Sequence, residues 1–177
     1  MRHFAALSAV SVIFLASAAS AYAANANCKV KGLTWDRASI NSTTGTVDVG
    51  CHGNVGGYDC NPYQGDTSCN TALPILCIKK DTAAFPLPTH VDNSNQYHKW
   101  ASGVVGTTVP VNLCTANVDT IQAANKLCEA EFGNGWRVAE HHDGWGWHFQ
   151  AFGNVGNPSK RFWVNVTDQP KGTCWKN

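Results

Sequence analysis

Charge is scarce in this chain: Asp, Glu, Lys and Arg together make up only 14% of its 177 residues. Runs of Lys or Arg are absent, so it lacks the electrostatic footprint of a nucleic-acid binder. The same absence removes the usual attraction to an anionic membrane surface. After the first twenty residues no segment is apolar enough to span a bilayer. No C-x-x-C pair occurs, which leaves a zinc ribbon or finger without its ligand spacing. A Gly-x-Ser-x-Gly nucleophile elbow is missing too. There is no internal repeat and no low-complexity tract.

What is present begins with an export signature. Met1-Arg2-His3 is a short basic start, Phe4 to Ser20 is uncharged and mostly apolar, and Ala21-Tyr22-Ala23 has the small-x-small pattern of a signal-peptidase site. A membrane anchor is disfavoured because the apolar run is shorter than the roughly 20 residues a spanning helix needs. Residues 1–23 are therefore expected to be removed, leaving 24–177 secreted or periplasmic. Loss of Arg2 leaves twelve basic against twelve acidic residues, a neutral chain.

All eight cysteines lie in the mature part: Cys28, Cys51, Cys60, Cys69, Cys77, Cys114, Cys128 and Cys174. An even number in an exported chain reads as a disulfide framework whose pairing order the sequence leaves open. Five fall in 28–77 and three in 114–177, so if all pair internally at least one bridge crosses between the halves. One cooperative unit is expected, with 24–80 rich in strands and loops, and 81–177 as a second part of the same domain.

Local patterns suggest the elements. Leu33 to Val49, broken by Asn41-Ser42-Thr43-Thr44-Gly45, predicts a β-hairpin. Gly50–Thr71 reads as loop, Leu73–Ile78 as a buried strand, 81–98 as an exposed connection and Val104–Val111 as a further strand. Ile121, Ala124, Leu127, Cys128 and Phe132 recur at helical spacing. Asp119 is offered as the N-cap, with Gln122 three positions on, and Gly133 and Gly135 end the helix. Phe162, Val164 and Val166 alternate with Arg161, Trp163 and Asn165, which predicts a half-buried strand. The fold class is α+β: a small disulfide-rich domain with short antiparallel sheets and one main helix.

A helix bearing Ala124 and Cys128, followed by Gly133, Gly135, Trp136, Val138 and Ala139 and a closing Cys174, resembles the C-type-lectin-like fold over about 115–177. The resemblance implies a Cys128–Cys174 bridge between the helix and the last strand. The family's calcium-dependent sugar motifs are missing. Asp168-Gln169-Pro170 has similar letters in the wrong order, so calcium-dependent sugar binding does not carry over. The stretch from Cys60-Asn61-Pro62-Tyr63 to Cys77 also resembles secreted bacterial proteins without an assigned function.

The densest chemistry lies at 141–148, with His141, His142, Asp143, Trp145, Trp147 and His148. If 137–142 and 147–152 form a hairpin, a turn at Asp143-Gly144 or at Gly144-Trp145 puts His141 and His148 on one face. Their separation would be about 5–8 Å, within reach of one zinc or copper ion. Two ligands fall short of a complete zinc site. Adjacent histidines in an aromatic loop equally suit a surface or a polar packing role. Trp136 and Trp163 are expected in the core, with Trp35 and Trp175 as further core candidates. Trp145 and Trp147, flanked by glycines, are the aromatics expected to meet a ligand.

The leading expectation is a secreted, non-catalytic binding or adhesion module for a glycan or surface ligand. Its surface would comprise Trp145, Trp147, His141, His148 and Asp143, with no cofactor. The competing expectation is a small metal-dependent or hydrolytic enzyme centred on His141 and His148.

Overall fold

The computed structural model describes residues 30–51, 60–95, 98–156 and 160–176. The expected signal peptide and Cys28 lie outside the described residues. Among the described residues, eleven strands and one α-helix follow in chain order. The strands of the first part are β1 (Lys31–Gly32), β2 (Thr34–Asn41), β3 (Thr46–Gly50), β4 (Thr67–Ser68), β5 (Ala72–Leu73) and β6 (Leu76–Lys80). The second part holds β7 (His98–Thr107), β8 (Val111–Asn112), α1 (Ile121–Phe132), β9 (Arg137–Val138), β10 (His148–Gly153) and β11 (Phe162–Trp163).

The expected hairpin is β2–β3, antiparallel from Asp36↔Gly50 to Asn41↔Thr46. Asn41 makes its turn: the side-chain Oδ1 accepts from the Thr43 and Thr44 N–H groups at 3.1 and 3.2 Å, and Gly45 takes φ +69°. Short antiparallel sheets were expected, but the main sheet has seven strands in the order β11-β2-β3-β10-β7-β6-β9. It is mixed, because β10 runs antiparallel to β3 and parallel to β7. Strands from 24–80 and from 81–177 interleave across it; of the two short antiparallel sheets beside it, β1–β4 lies within 24–80 and β5–β8 joins the two parts. No helix among the described residues is long and apolar enough to cross a membrane.

Two apolar clusters cover opposite faces. One gathers Leu33, Trp35, Val49, Ile78, Phe149 and Val164; the other gathers Ile75, Cys77, Val138, Trp163 and Trp175 beneath α1. Adjacent residues on β6 and β11 feed different clusters. The half-buried expectation for 161–166 therefore fails: Phe162, Val164 and Val166 enter the first cluster, Trp163 enters the second, and Asn165 is buried too. Alternation that looked polar on one side was covered on both.

Helix α1 presents Ala124 and Cys128 to the sheet, on the apolar face expected. Its N-cap is Thr120, whose hydroxyl accepts from the Ala123 N–H at 3.2 Å. Asp119, the cap expected, instead pairs its carboxylate with Lys176 at 3.1 Å. Gly133 closes the helix at φ +97°, donating its N–H to Glu129 O at 2.8 Å.

The disulfides join Cys51 to Cys60, Cys69 to Cys174, and Cys77 to Cys128; Cys114 is bonded as well. The Cys128–Cys174 bridge implied by the family resemblance does not form. Cys128 lies on the helix face above β6, and Cys77 points up from that strand into the same cluster. Cys174 packs beside β1, where its Sγ occupies the space a Cβ on Gly32 would need. The facing cysteine there is Cys69, next to β4, the partner of β1.

Candidate functional site around Trp145

The segment 137–153 contains no hairpin. Short strand β9 pairs with β6 through Cys77↔Val138 and Ile78↔Arg137, while β10 sits between β3 and β7. Residues His141–Gly144 form a single turn of 3-10 helix between them. The reason is a capping box. The Glu140 carboxylate accepts from His142 N–H at 3.0 Å, and the Asp143 carboxylate accepts from Glu140 N–H at 2.8 Å. A helical turn with both ends of its first segment satisfied outcompetes an extended hairpin strand.

Asp143, expected at a binding surface, is largely buried and anchors this turn, and it also lines the groove beside Trp145. Arg137 grips it at two points, Nη2 to Oδ1 at 2.5 Å and Nη1 to Oδ2 at 3.0 Å. Lys80 adds a second cation, 3.3 Å from Oδ1, and donates to the Asp143 carbonyl at 3.1 Å. Gly144 permits the chain to press against Phe149 and the Lys99 carbonyl, where a Cβ would clash.

The turn ends on Trp145, whose N–H donates to His142 O at 3.1 Å with a left-handed φ of +72°. For a bulky side chain that conformation is an outlier, costing about 1–2 kcal/mol. Trp145 is also 73% exposed. It lines a groove of about 350 Å³ together with Lys80, Asp81, Thr82, Trp100, Ser102 and Asp143. Ser102 is a second left-handed residue, at φ +53°. Backbone strain from two segments thus converges on one polar groove with an aromatic rim.

Trp147, His141 and His148, also expected beside Trp145, do not line this groove. Trp147 packs edge-on against Tyr63 at 6.3 Å and against His141 at 5.6 Å. His141 is 8% exposed and also meets the ring of Trp35 at 5.8 Å. Both its ring nitrogens are buried with no hydrogen-bond partner among the described residues. Burial, and secondarily the neighbouring His142, lower its pKa to about 4 from the ordinary 6.5, against the opposing pull of Glu140 and Asp168. His141 is therefore a neutral ring within the core at pH 7.

His148 lies on β10 with Nδ1 3.9 Å from Asp48 Oδ1. Its ring lies over Gly50, where a Cβ would come within 2.6 Å of Nδ1. The hairpin expected to set His141 and His148 on one face does not form. No group of three or more His, Cys, Asp or Glu side chains among the described residues is arranged to hold a metal. His142, which is exposed, pairs through Nδ1 with Glu140 at 3.0 Å, and the same carboxylate accepts from Thr167 Oγ1 at 3.0 Å.

Trp145 and Asp143 were legible in the sequence, but the other residues of the groove were not. Lys80, Asp81 and Thr82 follow the buried run Leu76-Cys77-Ile78 in sequence, and Ser102 falls inside an apolar strand. An exposed Lys-Asp-Thr step at the end of a buried strand was the one available signal. Arg137, the clamp on Asp143, was visible only as part of a strand. The chain matches no protein-family model, no curated protein and no solved structure.

Proposed function

We propose that this protein is an exported binding module that recognises a glycan, or a ligand presenting a similar flat C–H face, through Trp145 and its groove. The observation that carries the reading is the display of Trp145. A tryptophan left 73% exposed forgoes hydrophobic burial, and its left-handed backbone adds strain. The capping box and the Arg137–Asp143 clamp hold it there regardless. An exposed, preorganised indole beside ammonium, carboxylate and hydroxyl groups suits stacking on a sugar ring with hydrogen bonds at its rim. It is read as a non-catalytic site, since ligand binding needs no more than this groove supplies.

Export is supported by the disulfides, by the absence of a free cysteine among the described residues and by the leader-like first residues. Likeness to the C-type-lectin-like fold rests on α1 and the Gly-x-Gly-Trp-Arg-Val-Ala segment leading into β9. Within that reading the helix is stapled to β6 instead of to the C-terminal segment.

A glycan-array screen of the purified protein and of Trp145→Ala tests the proposal. Binding by the native protein that disappears in the variant, with an unchanged thermal melt, is the expected result. Array binding indifferent to Trp145, or none at all, refutes it.

A further inference from the structure

A second concavity lies outside the Trp145 groove and shares no lining residue with it. It encloses about 700 Å³ between β1, the turn at Gln169–Gly172 and the segment after Cys174. Lys31, Lys171 and Lys176 line it, and none of its described lining residues is acidic. Val30, Pro170 and Trp175 supply an apolar wall, and the exposed Gln64 brings an amide to the rim.

The three lysines come from three segments, each held by backbone bonds. Lys31 sits opposite Ser68 in the β1–β4 pair. Lys171 rides a turn closed by the Gly172 N–H to Gln169 O bond at 2.8 Å, and the Gly172 carbonyl accepts from Leu33 N–H at 2.8 Å. Lys176 is tied to the start of α1 by Lys176 N–H to Asp119 O at 2.9 Å and Ile121 N–H to Lys176 O at 3.0 Å. The Cys69–Cys174 disulfide locks the β1–β4 wall to the C-terminal wall. The walls are thus tied together through the backbone, and the three lysines that line them are exposed.

Charge then selects the ligand. Lys176 shares its charge with Asp119, but Lys31 and Lys171 have no carboxylate partner among the described residues. Like charges gathered in one concavity raise the local concentration of anions. Trp175 adds an indole N–H that is buried without a hydrogen-bond partner among the described residues. A small inorganic anion would leave the apolar wall unused, and a neutral ligand would leave the lysines unused. A volume of this size falls in the range of organic-ligand pockets.

We propose that this pocket binds an anionic saccharide, with its carboxylate or sulfate group on Lys31 and Lys171 and a ring face against Val30, Pro170 and Trp175. The site is independent of the Trp145 groove.

Calorimetric titration of the purified protein with trigalacturonate, with a sulfated trisaccharide and with a neutral trisaccharide tests it. Saturable binding of either anionic trimer, with none of the neutral one, is expected; which one binds identifies the anionic group. The Lys31→Gln/Lys171→Gln double variant should bind about tenfold more weakly, and raising salt from about 0.02 M to about 0.5 M should weaken native binding as well. Both lysines are exposed, so the variant should keep the native melting temperature. Trp145→Ala should bind the anionic trimer as the native protein does. Absence of saturable binding by both anionic trimers, equal binding of the neutral one, or a double variant that binds like the native protein overturns the proposal. None of those results bears on array binding that depends on Trp145, so the two readings fail separately.

Discussion

Arg137 grips Asp143 through two parallel contacts of 2.5 and 3.0 Å, and the carboxylate so held also closes the capping box beneath Trp145. One buried side chain therefore links strand β9, the 3-10 turn and the display of the exposed indole. Asp143→Ala removes the partners of Arg137, of Lys80 and of the Glu140 N–H together. We expect a loss of roughly 2–3 kcal/mol of stability in urea unfolding, moderated by the partial exposure of both cations. Ligand binding through Trp145 should fall even under conditions where the variant is folded. Native-like stability would show that the clamp is ornamental.

Trp145 separates stability from recognition. Trp145→Ala should change unfolding free energy by no more than about 0.5 kcal/mol, as an exposed position does. Trp145→Gly should be more stable than the Ala variant by about 1 kcal/mol, since glycine takes a left-handed φ without strain. Both should weaken ligand binding by about 2 kcal/mol or more. A melting temperature that falls by many degrees in the Ala variant would place the indole in the core.

His141 makes stability depend on pH. Its folded pKa of about 4 lies below the ordinary 6.5, so the unfolded chain takes up a proton there before the folded one does. The neutral ring's contribution is fully present above about pH 6.5 and is lost progressively down to about pH 4, reaching roughly 3 kcal/mol at most. His141→Phe keeps a ring against Trp35 and Trp147 and removes the titration. Relative to the native protein, this variant should gain stability by about that amount between pH 7 and pH 4. Parallel unfolding curves for the two proteins across that range would contradict the assignment.

The disulfide pairing is open to direct reading. Peptide mapping without reduction should recover Cys77 linked to Cys128 and Cys69 linked to Cys174. The first closes a loop 51 residues apart in sequence and the second one 105 residues apart. Replacing Cys77 and Cys128 together by Ala should cost about 4 kcal/mol in the chain-entropy model, and replacing Cys69 and Cys174 about 5 kcal/mol. Only the second pair of substitutions should also abolish binding in the lysine-lined pocket.

Features set by neighbours in sequence were legible before the structure. The Asn41–Gly45 turn, the apolar face of α1 and its glycine stop depend on a few adjacent residues, and their chemistry acts whatever surrounds them. Trp145 was legible for the same reason, because flanking glycines leave an indole little to pack against. A charge-poor, cysteine-rich composition with a leader-like start was equally plain.

Only tertiary structure decided the rest. Cys128 could be assigned to a buried helix face, but its partner was set by which strand passed beneath that face. The 137–152 segment read as a hairpin because alternation alone does not reveal that Arg137 reaches Asp143 and that Glu140 caps the turn. That local turn carries His141 into the core and Trp145 into the groove that Lys80 also lines. The alternation at 161–166 hid a second buried face because periodicity records which residues differ, not what lies against them. Sequence acts over short separations through backbone preference. Pairing of cysteines, the sides of a sheet that are covered and the company a side chain keeps depend on register between segments far apart in the chain.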